Sequence, residues 1–498
     1  MQWRTAVVKN KSIIFADMKI MYCIRGLHNS GGMERVLSVK ANLLASRGHE
    51  VSIVVLRLKG RKPFFPIDPS VNIVDLSAPY LSLPGHPSSA NATSDSPRTT
   101  VSSAAGSVSN PASCSAIRES SAYTVSSAAG STPGSASCSA RTESCAYTVS
   151  SAVGNAANPA TGRARTEGIT PSPSTMASER LKGSVRERLS RVVEMLEPDV
   201  CVSLCGPEVR ILPAVAGGRP CVAEYHFSHD KFYRKYGGIF MYPYAWLRTH
   251  MLERAVSEYD CMVTLTEHDL PIWKRHCRRV ERIFNPVTTP PGQVSRLAEK
   301  RMIAVGRLED QKNFKDLVSA WSIVAERCPD WRLEIFGEGK LEHALRSQIA
   351  RLGLTGSVIL RGVVKDIASE YSNSSALLMT SLHEGFPLAL VEASSFGLPL
   401  ISYDCPTGPS EIIIDAGDGG FDGDGNVPAA TLDQEAGNTP NGYLVPVGDV
   451  RTLADRICRI ASDDNLRLRL GAASKASSRR FTPETIISAW EHLFFSLL

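Results

Sequence analysis

The 498 residues lack any uncharged apolar run of about 18, the length a membrane-crossing helix needs, which excludes an integral span. The chain holds 12 cysteines, yet none pair as Cys-x-x-Cys and no Cys/His cluster has zinc-ligand spacing. Cys201 and Cys205 flank a strand-like "VSL" and read as core positions, so free thiols in a reducing, cytoplasmic setting are expected. Charge of one sign is also scarce: a net +5 without a basic–aromatic stripe gives no reason to expect nucleic acid as a partner. The opening "MQWRTAVVKNKSIIFADMKIMYC" has no small-residue cleavage site, and Asp17 and Lys19 break its apolar stretch. A signal peptide is therefore not expected. Residues 1–17 read as an N-terminal extension, with the fold beginning near Met18.

What is present is alternation. The length and a hydrophobic fraction of 43% suit two domains with separate cores. "KIMYCI", a helix ending at Gly48, and "EVSIVVL" open an α/β pattern. It resumes through "GSVRERLSRVVEMLEPDVCVSL", "CVAEYHFS", the helix "AWLRTHMLERAVSEY" and "CMVTLT". After a Pro-rich linker come "RMIAVGRL", "FKDLVSAWSIVAERC", "WRLEIFG", "KLEHALRSQIARLG", "SVILRG", "IASEYSNS", "ALLMT" and "PLISYD". Strands alternating with helices through two halves predict two doubly wound parallel sheets, with ligands bound at the carboxyl ends of strands in an interdomain cleft. The expected boundaries are residues 18–288 for an N-terminal domain, 289–481 for a C-terminal domain, and 482–498 for a final helix.

One stretch breaks the pattern. Residues 88–178 are Ser, Ala, Thr, Gly and Pro with few large apolar side chains, and Cys114 and Tyr123 recur 24 positions later as Cys138 and Tyr147. Repeats of this composition have too little apolar surface to stack, so the segment reads as a disordered, duplicated loop insertion.

The candidate chemistry centres on "HEGFPLALVEASSFGLPLIS" from His383. "ALLMT" is a strand and Ser381–Phe386 a loop, with Pro387 expected as the first helical residue because its missing N–H costs nothing there. The backbone amides of Leu388, Ala389 and Leu390 would then form an anion site at a helix N-terminus. Glu384 on the loop lip suits sugar hydroxyls, and Glu392, about one turn further in, suits the two hydroxyls of a ribose. The alternative is a capping carboxylate and an unrelated glutamate in the second turn. In "GRLEDQKNFKDLVSAW" Arg307 ends a strand, and Lys312 precedes Asn313, an expected helix N-cap. Two cations there suit a diphosphate, against the alternative of a solvated charged loop.

Together "GRLEDQKN", "GEGKLE", "LRGVV", "HEGFPLALVEASSFGLPLIS", "GPSEII" and "NGYLVPVGD" resemble the C-terminal domain of family-4 retaining glycosyltransferases, and "SGGMERVL" and "VTLTEHD" resemble its N-terminal domain. The resemblance implies a GT-B fold, two Rossmann-like domains closed by a C-terminal helix for which "TPETIISAWEHLFFSLL" is the candidate. It implies catalytic roles for Glu384 at the transferred sugar, Arg307 and Lys312 at the diphosphate, and His226 in "AEYHFS" as an active-site histidine. It implies a donor-binding set of Glu392 at the ribose, Gly31 and Gly32 in a glycine loop beside the phosphates, and Gly385, Phe386, Leu388 and Ala389 along the donor loop. The bland readings are a glycine turn for Gly31–Gly32 and a structural role for His226.

No cofactor and no metal are expected, because the family neutralises the leaving diphosphate with arginine and lysine. "DGDGN" at 422–426 resembles a calcium loop but has Val427 where the glycine belongs. The basic run "KRHCRRVER" from Lys274 suits either a solvated helix face or contact with anionic membrane, since relatives act on lipid-linked acceptors at the inner face of the cytoplasmic membrane. The expected function is transfer of a hexose or N-acetylhexosamine from a UDP-sugar, with retention, to a glycan or lipid-linked acceptor in surface polysaccharide or glycoconjugate synthesis. "SYDCPTGPSEII" favours UDP-galactose, UDP-GlcNAc or UDP-GalNAc by the same resemblance. The rivals are a catalytically silent nucleotide-sugar-binding protein and a GT-B UDP-sugar epimerase.

Overall fold

The computed structural model describes residues 7–9, 12–14, 17–78, 183–236, 238, 240–290, 292–417 and 439–498. The serine-rich repeat and the "DGDGN" loop lie outside the described residues. Ahead of the first domain, Val7–Lys9 and Ser12–Ile14 pair as an antiparallel hairpin.

Two parallel sheets organise the rest. The first runs in space as Asn72–Asp75, Glu50–Val55, Lys19–Ile24, Val200–Ser203, Cys221–Glu224, Cys261–Thr264 and Val280–Arg282. The second runs as Val358–Gly362, Arg332–Phe336, Arg301–Val305, Ala376–Met379, Leu400–Tyr403 and Gly442–Val445. Alternating side chains feed two cores at each sheet. Along Lys19–Ile24, Met21 and Cys23 join one cluster and Ile20, Tyr22 and Ile24 the other. In the second sheet Met302 and Ala304 face one cluster and Ile303 the opposite one. Burial on both faces is why these strands read as short continuous apolar runs.

In both sheets the first strand lies between the second and the fourth, so the chain reverses direction of travel there. A doubly wound sheet opens its ligand crevice at such a switch point, beyond the carboxyl ends of the two central strands. The crevice-forming strands are Lys19–Ile24 with Val200–Ser203, and Arg301–Val305 with Ala376–Met379.

The C-terminal helix Pro483–Leu497 is capped by Thr482 and returns to the first sheet. Its Ile486, Ile487, Trp490, Leu493 and Phe494 share a core with Ile20, Tyr22, Leu37 and Leu44. Glu491 fixes the seam from a second direction, accepting from Arg47 Nη1 at 2.5 Å and lying 3.1 Å from His49 Nε2.

Some local expectations need revision. The helix expected from Ala245 begins at Tyr242, with Pro243 tolerated in its first turn. The edge strands Asn72–Asp75 and Val280–Arg282 were not expected, because NIVD and VER are at least half polar and form no apolar run. The basic run from Lys274 is not a helix face: it starts just past the helix Leu270–Trp273 and holds a turn and that last edge strand.

Candidate active site

The two loops leaving the switch point of the second sheet are bonded to each other. Thr380 Oγ1 donates to the carbonyls of Lys312 and Asn313, both at 3.1 Å. Gln311 Nε2 donates to His383 O at 2.8 Å, and the Leu382 amide returns to Gln311 O at 2.8 Å. This lattice brings Lys312 Nζ to 2.6 Å from Glu384 Oε1, in a pair whose side chains are only 18% and 9% exposed. Thr407 Oγ1 donates to the Glu384 carbonyl and holds the loop from behind. Arg307, by contrast, stands at the lip with 67% of its side chain exposed, paired with Glu309 at 2.9 Å.

Two capping expectations are corrected. Asn313 occupies the N-cap of Phe314–Arg327 but in a left-handed conformation, and its amide donates to Asp316 instead of capping the helix. Pro387 is the cap residue, and Leu388 opens the helix Leu388–Ser395. The Leu390 amide is already donated to Pro387 O at 3.0 Å, so Leu388 and Ala389 remain as the anion-binding pair.

Opposite lies a second helix N-terminus. Gly31 caps Gly32–Ser46, and a methyl group placed on Gly32 would lie 3.1 Å from Leu388 Cδ1. The N-termini of Gly32–Ser46 and Leu388–Ser395 thus approach each other, and both dipoles favour negative charge in the space between. Gly385 explains its own identity: a methyl group there would lie 2.4 Å from His226 O and 3.0 Å from Phe227 Cα. Phe386 is committed elsewhere. Its buried ring stacks on Phe284 at 5.4 Å and meets the edge of Phe481 at 5.8 Å, so only its backbone can face a donor.

Glu392 is not an open carboxylate. Oε1 accepts from Thr288 Oγ1 at 2.7 Å and pairs with Arg35 Nη1 at 2.8 Å, while Oε2 accepts from the Tyr371 hydroxyl at 3.1 Å. Arg35 belongs to the Gly32–Ser46 helix, so this contact crosses the cleft.

His226 is backed by a buried ion pair. Its Nε2 lies 3.1 Å from Glu224 Oε1, and both carboxylate oxygens of Glu224 accept from Lys40 Nζ at 2.7 Å. Lys40 in turn sits 3.6 Å from the centre of the Trp490 ring of the C-terminal helix. Burial pushes the Glu224 carboxyl up, but the charges and hydrogen bonds of Lys40 and His226 outweigh it and hold the group at about 2. Burial lowers the Lys40 ammonium, partly offset by Glu224.

Arg35, Thr288, Tyr371, Lys40 and Glu224 were not singled out from sequence. Two of them carried a signal: Lys40 interrupts the apolar stripe Leu37–Ala41–Leu44, and Glu224 ends an otherwise apolar strand. A charge at such a position is buried and needs a partner. Arg35, Thr288 and Tyr371 come from distant segments and carried none.

No helix among the described residues is long and apolar enough to cross a membrane. Within the basic run, Arg279 pairs with Glu281 and Arg282 with Glu267 and Glu411, so these cations are largely spoken for. A different surface is apolar and cationic: Phe240 is 94% exposed, and Met241, Tyr242, Tyr244, Trp246 and Leu247 are exposed beside Lys235 and Arg248.

Two Rossmann-like sheets whose switch points carry these loops define a GT-B protein. Residues 290–477 match the family Glycosyl transferases group 1, and the chain carries a domain of that family. It is 27% identical over 240 residues to an uncharacterized glycosyltransferase of Haemophilus influenzae, covering 48% of this chain and 62% of that one. It is 30% identical over 195 residues to the amylovoran biosynthesis glycosyltransferase AmsD of Erwinia amylovora, covering 39% and 48%. The matches therefore span less than two thirds of either relative. The fold is similar to that of Anabaena Alr3699/HepE in complex with UDP, with a TM-score of 0.56, 15% identity and coverage of 96% and 100%.

Proposed function

We propose that the chain is a retaining hexosyltransferase of family 4. It moves a hexose or N-acetylhexosamine from a UDP-sugar to a glycan or lipid-linked acceptor in surface polysaccharide or glycoconjugate synthesis. The observation that carries this reading is the Lys312–Glu384 pair at the switch point, beside two helix N-termini that approach each other. The nucleotide diphosphate lies between the amides of Leu388 and Ala389 and the Gly31–Gly32 turn. Arg307 closes from the lip, exchanging Glu309 for phosphate. As the sugar–phosphate bond breaks, negative charge grows on the diphosphate, and Lys312 and Arg307 stabilise it without a metal. Glu384 orients the transferred sugar and keeps Lys312 aimed at the leaving oxygen. His226, braced by Glu224, sits where the loop of Gly385 passes and contacts the sugar. The AmsD relative is named for polysaccharide synthesis, and the HepE structure is a UDP complex, which supports this choice of donor and pathway class.

The exposed surface from Phe240 to Leu247 rests on anionic membrane at the inner face of the cytoplasmic membrane and brings lipid-linked acceptors to the cleft. Aromatic rings with adjacent cations suit the headgroup level. The deciding experiment measures UDP release from a panel of UDP-sugars with and without acceptor. Acceptor-dependent release with an α-configured product from an α-configured donor supports the reading. Tight donor binding without release indicates a silent binding protein, and interconversion of the donor sugar indicates an epimerase.

A further inference from the structure

Three residues separated by 24 and 23 positions converge on one face of the first domain. His229 follows the strand Cys221–Glu224, Glu253 lies on the helix Tyr242–Val256, and His276 follows the helix Leu270–Trp273. His229 Nε2 lies 2.8 Å and His276 Nε2 3.4 Å from the same oxygen, Glu253 Oε1. One donor atom from each residue falls within 4.8 Å of the others. The two imidazole planes are 15° from parallel, and both rings pack against the edge of the fully buried Trp273, at 5.0 and 6.5 Å between centres. His250 Nδ1 approaches the second carboxylate oxygen at 3.5 Å from the same helix. All three primary side chains are partly buried, so each reaches solvent on one side.

We propose that His229, Glu253 and His276 form a zinc site, distinct from the transfer chemistry. Donors at about 2.0–2.1 Å from a tetrahedral zinc ion lie about 3.3 Å from one another; the two imidazole–carboxylate separations, 2.8 and 3.4 Å, bracket that spacing, and the third lies within 4.8 Å. Two imidazoles and a carboxylate are borderline donors suited to zinc over calcium or magnesium, which take oxygen ligands. A solvent molecule completes the fourth position on the open side. His250 holds the outer carboxylate oxygen and orients Glu253 as a supporting partner of the ligand set. The ion links three separate segments, one of them the loop that carries His226 three residues earlier. Its role is to brace that loop, and the diphosphate is handled elsewhere by Lys312 and Arg307. Alternation of spacing hid the site from sequence, since no two of the three ligands fall within one short motif.

The test uses the full chain, stripped of metal by chelator and dialysed, at pH 7.5. Zinc alone and cobalt(II) alone are titrated, with affinity read by equilibrium dialysis and geometry by the visible cobalt spectrum. One ion per chain and intense visible bands of four-coordinate cobalt are expected. His276→Ala and Glu253→Gln should each weaken binding at least tenfold, whereas His250→Ala should change it less than either. Zinc should raise the melting temperature of the parent chain and not of Glu253→Gln. A parent chain that shows only the weak spectrum of hydrated cobalt overturns the site, as does a folded Glu253→Gln variant binding zinc as tightly as the parent. Because the parent spectrum is decisive by itself, a variant that fails to fold does not protect the proposal.

Discussion

Arg35 Nη1 lies 2.8 Å from Glu392 Oε1, joining a helix of the first domain to the second across the cleft. The Glu392 carboxylate that the resemblance assigns to a ribose thus already has three donors, Arg35, Thr288 and Tyr371. A ribose must share or displace one, and Arg35, with 27% of its side chain exposed, is the most readily displaced. Arg35→Ala is expected to remove the countercharge of a buried carboxylate and to lower stability by about 1–3 kcal/mol. Thermal melts with and without UDP check this: the loss should shrink in saturating UDP if the nucleotide replaces the arginine contact.

Glu384 and Glu392 should fail differently. The ribose is common to UDP and UDP-sugar, so Glu392→Gln should weaken both about ten- to hundredfold. Glu384→Gln should bind UDP nearly as the parent does and lose transfer. Calorimetric UDP titration of both variants separates them; the reverse pattern would exchange the two assignments.

Arg307 and Lys312 should also part company. Each should lower kcat when replaced by Ala, by about 2–4 kcal/mol of transition-state stabilisation. Arg307 is exposed and paired only at the surface, so its loss should leave stability within about 0.5 kcal/mol. Lys312→Ala strands the buried Glu384 and should lower the melting temperature as well. Turnover and melts of both variants, without added divalent metal, are the measurements.

The Glu224–Lys40 pair sets an acid limit. The folded chain holds the Glu224 carboxyl at about 2, below its ordinary 4.5. Above 4.5 the carboxylate is charged in folded and unfolded chains alike, and its stabilising contribution is complete. As pH falls from about 4.5 toward 2, the unfolded chain takes up a proton that the folded chain refuses, and that contribution is lost. Melts between pH 6 and 3 should therefore show a steeper decline for the parent than for Glu224→Gln. Glu224→Gln should also be destabilised at neutral pH, because it leaves Lys40 buried without its countercharge.

Trp490 should matter far from the cleft. Its truncation to Ala removes a fully buried ring and the surface on which Lys40 rests, for about 3–5 kcal/mol. Chemical denaturation reads this directly. A cost below 1 kcal/mol would mean the C-terminal helix contributes little to the first domain.

For the exposed surface from Phe240 to Leu247, Phe240→Ser with Trp246→Ser should lower sedimentation with vesicles containing anionic lipid while leaving UDP affinity unchanged. Equal sedimentation of variant and parent would remove this surface from the reading.

The strand–helix alternation was legible because period and composition are local properties. "KIMYCI", "RMIAVGRL" and "ALLMT" are apolar runs bounded by turns, and each holds a strand as expected; their central place in the sheets came from the structure. The loop containing Glu384 and the helix following it were likewise readable, since a proline and a glycine at fixed offsets constrain the backbone. Pairing was not local. The sequence places Lys312 and Glu384 72 positions apart, and only adjacency of the two central strands brings them to 2.6 Å. Glu392 looked like an open ligand because its three donors come from residues 35, 288 and 371, which no spacing rule connects. His229, Glu253 and His276 illustrate the same limit. By itself the sequence determined the strand–helix alternation of the central segments and which loops bear charge, but not the polar edge strands Asn72–Asp75 and Val280–Arg282. Tertiary structure decided which charges neutralise one another, because the energy of a charge depends on its through-space partners and its burial, and neither is a property of neighbours along the chain.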